Sequence, residues 1–223
     1  MSTADSAEDS KRGLIGQTIH IVFTLIGAYI GSLLLSIIIE LLGIGLDWWE
    51  LPGAQHAKMS LETELGWLNE DFKQFMVAPV DVAFTFLSFF YEYIIQATYF
   101  GSLVVALKGT VVEPYFLAVV YIIELNAVRL AVILMSMPAL LLFGMYALID
   151  GLNERDVRTW SGGRETSFVY HHAKRWALPA AYMAIVVYLS SPVSVHPSLF
   201  VLLFALPFSY SIWLTAMYFK KYL

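Results

Sequence analysis

Residues 150–176, DGLNERDVRTWSGGRETSFVYHHAKRW, form the longest markedly polar interval in the second half of the chain and separate two apolar regions. The interval holds Arg155, Arg158, Arg164, Lys174 and Arg175, five of the thirteen basic residues. Apolar runs elsewhere exceed the roughly 18–20 residues needed to cross about 30 Å of hydrocarbon. A basic interval between such runs decides how the chain threads a bilayer, because cytoplasmic connections carry the excess of Lys and Arg.

Outward from this interval, the chain reads as an all-α integral membrane protein with about four transmembrane helices and a helical periplasmic domain between the first and second. Of its 223 residues, 59% are hydrophobic, with a mean hydropathy of +0.69. Soluble domains run near 45–50% apolar, and the polar face of each element breaks their apolar runs. Residues 1–13 form a short polar tail, and 14–46 a first span with an outer extension. As a helix this run is about 50 Å long at about 1.5 Å per residue, more than one bilayer core. It is also far longer than a signal-peptide core, so a retained anchor is expected.

Residues 47–114 read as the acidic helical domain, entered through Trp48-Trp49 at interfacial depth. Ser60-Leu-Glu-Thr-Glu64 has the composition of a helix start, with Ser60 as N-cap and Thr63 or Glu64 in the first turn. Leu61, Leu65 and Leu68 share one face of that helix. Over residues 75–107, Asp81, Glu92 and Gln96 interrupt an apolar run from a single helical face. This suits a helix packed on others or lying along the membrane surface. Spanning is the alternative, disfavoured by the cost of central carboxylates.

Pro114 suits the start of the next helix. Residues 115–149 form a second span with an outer extension, its membrane part the unbroken apolar stretch 130–149, with a kink expected at Pro138. The basic cytoplasmic loop 150–176 follows, then a transmembrane hairpin over 177–219 that turns at 190–197, and a cytoplasmic end, 220–223. Four spans place Lys11, Arg12, the five loop residues, Lys220 and Lys221 on one side, against Lys58, Lys73 and Lys108 on the other. Both termini are therefore expected in the cytoplasm. The nine carboxylates between Asp47 and Glu113 oppose direct binding of nucleic acid.

Gly27-Ala-Tyr-Ile-Gly31 is a G-x-x-x-G pattern, which lets a neighbouring helix approach closely in lipid. Whether the neighbour is internal or another chain stays open, and so does a homo-oligomer. Glu40, Glu124, Asn126 and Arg129 are the polar residues nearest the membrane. They read either as an ion path through the bundle or as structural pairs where the long helices leave the hydrocarbon. His171 and His172 point about 100° apart on a helix and do not form the i, i+4 pair that chelates well. There is no cysteine, and no metal site, cofactor site or catalytic constellation is expected. The chain reads as a non-enzyme. Ser161-Gly-Gly-Arg164 lacks the ending of a phosphate loop and suits a turn before an amphipathic helix, whose Lys174 and Arg175 meet anionic headgroups.

The stretch Ser161-Gly-Gly-Arg-Glu-Thr-Ser-Phe-Val-Tyr-His-His-Ala-Lys-Arg175 resembles a family of small membrane proteins of integrating conjugative elements and conjugative plasmids. The likeness is strongest over 162–175. The layout around it agrees: a span ending Ile149-Asp150-Gly151, an Arg-rich link, this stretch, then a terminal hairpin. The resemblance implies a TraJ-like inner-membrane accessory of conjugative transfer. Its partner would be the hexameric coupling ATPase that delivers DNA to the type IV secretion channel, and other secretion components could join. Partner-contact candidates are then Gly27, Gly31, Arg164, Tyr170, His171, His172, Lys174 and Arg175. The alternative is a small multi-span transporter or channel built on the polar residues near Arg129.

Overall fold

The computed structural model describes residues 14–71, 79–96, 99–161 and 182–219. Among these every element is helical: α1 (Leu14–Gly45), α2 (Gln55–Asp71), α3 (Pro79–Phe90), a π-helical turn (Tyr91–Gln96), α4 (Phe100–Ala106), α5 (Glu113–Trp160), α6 (described over 182–190) and α7 (Pro197–Met217). Three of them, α1, α5 and α7, are long and apolar enough to cross a membrane. The first half of the expected terminal hairpin is described only over 182–190.

α1 ends where expected, and its end has a physical cause. Asp47 adopts a left-handed conformation (φ 51°), and the Trp48 N–H donates to the Gly43 carbonyl at 2.9 Å, closing the last turn. The chain then folds back so that the Trp49 indole lies on Gly43, where any β-carbon would overlap the ring. Gly53 (φ 62°) completes the turn into α2.

Ser60 does not cap α2. The helix begins five residues earlier, at Gln55, directly after the Pro52-Gly53 turn, and Ser60 is a buried interior residue. The Pro-Gly break outranks a capping composition that matches only at the side-chain level. Leu61 and Leu68 are buried as expected, and Leu65 packs beside them.

Residues 79–106 are not one continuous helix. α3 passes through the π-helical turn, and Tyr99 in the left-handed region (φ 57°) starts the short α4. α3 lies antiparallel to α5: Phe90 packs on Ile123 and Ala127, while Ala83 shares a cluster with Ala131.

α5 is the axis of the fold. At 48 residues it is about 72 Å long at about 1.5 Å per residue. Pro114 sits in its first turn, and Glu113 accepts the Gly109 N–H at 2.6 Å. The helix does not stop at Ile149: it runs through Asp150-Gly151 to Trp160, so the first part of the 150–176 interval is helix. Between Ala118 and Ser136 it is buried on most sides, clothed by α1, α2 and α3 and, over Ala131–Ile133, by α6 and α7 as well. Beyond that point only Gly144, Ala147 and Gly151 are buried, a single stripe that meets α7. An added β-carbon at Gly151 would stand 2.7 Å from the Trp213 carbonyl oxygen, so the two backbones pack directly. Asp150 accepts the Trp213 indole N–H at 2.8 Å, and Arg158 donates to the Met217 carbonyl at 2.6 Å, closing the end of α7.

Candidate functional site: a buried arginine joining three elements

Arg129 is completely buried, on the face of α5 that looks toward both α2 and the turn after α6. Its Nε donates to both Glu64 oxygens at 3.1 Å, and Nη2 donates to Glu64 Oε1 at 2.6 Å. The other side of the guanidinium serves the turn. Nη1 donates to the carbonyls of Tyr188 (3.2 Å), Leu189 (3.2 Å) and Ser191 (2.7 Å), and Nη2 reaches that of Val193 (3.3 Å). Tyr188 and Leu189 lie in the last turn of α6, whose carbonyls lack partners within the helix, and Ser191 and Val193 lie in the turn that follows. The Tyr188 ring lies 5.6 Å from the guanidinium carbon and is stacked on Phe200.

Only arginine can do this, because its planar fork presents five donors in fixed directions. One edge grips a carboxylate and the other caps a helix end. Glu64 also accepts the Val195 backbone N–H. Burial pushes the Glu64 carboxyl up from its ordinary range, while Arg129 and that N–H pull it back. With all three guanidinium nitrogens engaged, the arrangement is suited to fixing α2, α5 and the α6–α7 turn in one geometry.

The four polar residues named from the sequence divide among separate partners. Glu40, buried on α1, pairs with His56 of α2 through Nδ1 at 2.9 and 3.1 Å. The His56 ring is stacked on Trp49 with centroids 4.0 Å apart. Asn126 donates to Ile122 of its own helix at 3.0 Å, while its Oδ1 is buried without a protein partner. Glu124 is half-buried. Gly27 and Gly31 lie on the exposed side of α1, where an added β-carbon would meet nothing within 4 Å. Arg164, Tyr170, His171, His172, Lys174 and Arg175 lie outside the described residues. No group of three or more potential metal ligands occurs among the described residues.

Sequence reasoning missed Glu64 and His56 as partners. For Glu64 a signal existed: with Leu61 and Leu68 at i−3 and i+4 it lies inside the apolar stripe of α2, and a carboxylate there requires a buried cation. Also missed was the Gly144-Ala147-Gly151 stripe, which makes the close helix–helix approach that the Gly27/Gly31 pair does not make within the chain.

Compared with known protein families, the chain matches the model described as IncC plasmid conjugative DNA transfer protein DtrJ-like over residues 48–220. Neither the curated proteins nor the solved structures give a match. The matched range takes in α2 through α7, with Glu64, Arg129 and the α6–α7 turn inside it, and covers well over half of the sequence. The chain therefore belongs to the DtrJ-like family of conjugative DNA transfer proteins.

Proposed function

We propose that this protein is a multi-pass inner-membrane accessory that binds the hexameric coupling ATPase and assists it within the type IV secretion apparatus, with no catalytic activity of its own. Membership in a family of conjugative DNA transfer proteins is the observation that carries this reading. Three apolar helices supply the means of membrane association. The bundle around Arg129 is consistent with a scaffold, since its buried charges are spent on holding elements together. Both termini and the basic interval 150–176 face the cytoplasm in this reading, on the side from which the ATPase works. Docking surfaces are the outward face of α1 around Gly27 and Gly31, together with residues 164–175.

The channel alternative draws on the polar residues near Arg129, of which Glu40 is paired with His56 and the Arg129 guanidinium is engaged at all three nitrogens. The test is gentle solubilisation of donor-cell membranes carrying a tagged chain, paired with mating assays of a deletion strain. Co-recovery of the ATPase and loss of transfer are expected. A chain recovered alone, with transfer undiminished by its deletion, overturns the proposal.

A further inference from the structure

We propose that an apolar cavity of about 220 Å³ between α5, α6 and α7 binds a lipid acyl chain. Its walls are Ile133 and Met137 of α5, Ala184 of α6, and Phe204 and Phe208 of α7. Its single hydroxyl, on Ser211, donates to the Pro207 carbonyl of its own helix at 2.8 Å. No polar group is left to hold water, which needs two to four partners, and apolar cavities of comparable size (about 150 Å³) stay dry and admit small apolar molecules. Hydrocarbon is therefore the chemistry that fits.

The source follows from the position. The lining residues of α7 run from Phe200 to Ser211, from the first turn past the midpoint of a helix that begins at Pro197 and ends at Met217. That helix has the length of one bilayer crossing. The mouth is bordered by Leu141 and Leu203, both largely exposed, so the cavity is continuous with the apolar outer surface of α5 and α7. Whatever covers that surface enters the cavity, and at this depth it is the acyl region of the bilayer. Pro138, beside Met137, and Pro207, in the wall, each lack the backbone N–H of a helical hydrogen bond at the level of the cavity.

The experiment uses the full chain in vesicles of phosphatidylethanolamine and phosphatidylglycerol, doped with phospholipid bearing a diazirine midway along one acyl chain. Adducts are mapped by peptide mass spectrometry. Severalfold enrichment is expected at Met137 and Phe204 over Phe23, which lies exposed on α1 and reports ordinary lipid contact. Ala184→Phe fills the cavity and should abolish the enrichment; Ala184→Leu gives the same reading if the larger side chain prevents folding, which thermal unfolding detects. Equal labelling at all three positions, or enrichment unchanged by either filling variant, overturns the proposal. Met137 cross-linked to another protein in native membranes, with lipid adducts absent, also overturns it and assigns the cavity to a partner's side chain.

Discussion

Replacing Arg129 with Met keeps most of the buried volume and removes the guanidinium hydrogen bonds that join α5 to α2 and to the α6–α7 turn. Glu64, 2% exposed, then carries a charge with no cation. Removing one member of a buried ion pair costs about 3–5 kcal/mol. The carbonyls of Leu189 and Ser191 lose the Arg129 donor as well, that of Tyr188 keeps only the Ser191 N–H, and the net worth of such bonds to a charged group is about 1.5–3 kcal/mol each. The losses overlap, so the expected total is about 5 kcal/mol, a large share of the roughly 5–15 kcal/mol that holds a domain folded. Glu64→Leu strands the arginine instead and should cost about 3 kcal/mol or more. The double variant carries no buried charge, and what remains is chiefly the uncapped turn. Two singles that are each severe and a double that is milder than their sum give a coupling energy near the upper end of the 0.5–3 kcal/mol range seen for contacting residues. Denaturant titration of the detergent-solubilised protein measures all three. Losses that add to within about 0.5 kcal/mol would refute the argument, since independent sites behave that way. So would an Arg129→Met protein of ordinary stability that has lost only an ion flux.

Gly151→Val drives a side chain into the Trp213 carbonyl, which cannot yield, and should cost about 3 kcal/mol in thermal unfolding. Gly27→Val meets open space and should leave folding within about 0.5 kcal/mol of the parent. If that face docks the coupling ATPase, co-purification falls while stability holds. Gly43→Ala displaces Trp49 from the Glu40–His56 pair at about 1–3 kcal/mol, seen as greater quencher access to a tryptophan that Trp49→Phe removes. Arg158→Met loses the cap on Met217 and the stacking on Tyr218, about 1–2 kcal/mol, with hydrogen exchange accelerated at the end of α7 and unchanged at α2.

Helix class and the limits of α1 and α7 were legible because uninterrupted apolar length is a one-dimensional signal. Positions that depend on a second element were not. Ser60-Leu-Glu-Thr-Glu64 has a capping composition, but whether Glu64 sits in an open first turn or is buried depends on what stands opposite it, here Arg129, 65 residues away. In the same way, Gly27/Gly31 and Gly144/Gly151 look alike as small residues in apolar helices. Only the placement of α7 makes the second pair the tight one. The end of α5 was misplaced for another reason. In the proposed topology Asp150, Arg155 and Arg158 mark a change of solvent rather than of backbone, and a helix can pass from lipid to water without breaking, because its hydrogen bonds are internal.

Arg129 stands one residue before the apolar stretch 130–149 and close to where the surroundings of α5 change. Above it the helix is wrapped by α1, α2 and α3; over Ala131–Ile133 Tyr188 and Leu189 of α6 and Phe200 of α7 join Leu68 and Ala83 around it, and from Gly144 a narrow buried stripe meets α7. Packing therefore holds the two layers together, but that attraction is non-directional and does not by itself fix how they are arranged. A directional interaction at the junction does. The guanidinium supplies it, one edge on the helix of the upper layer and the other on the turn that begins α7, and the low-dielectric surroundings make misalignment costly. On this argument the ion pair contributes chiefly to specificity, the role best attested for buried charge in other proteins. The double variant separates this from a purely stabilising role. It should fold with most of its stability restored yet hold α2 and the α6–α7 turn loosely. Double electron–electron resonance between labels at Glu62→Cys and Val193→Cys, on a chain with no cysteine of its own, would read this as a broadened distance distribution. A distribution as narrow as that of the parent would show that packing alone sets the register.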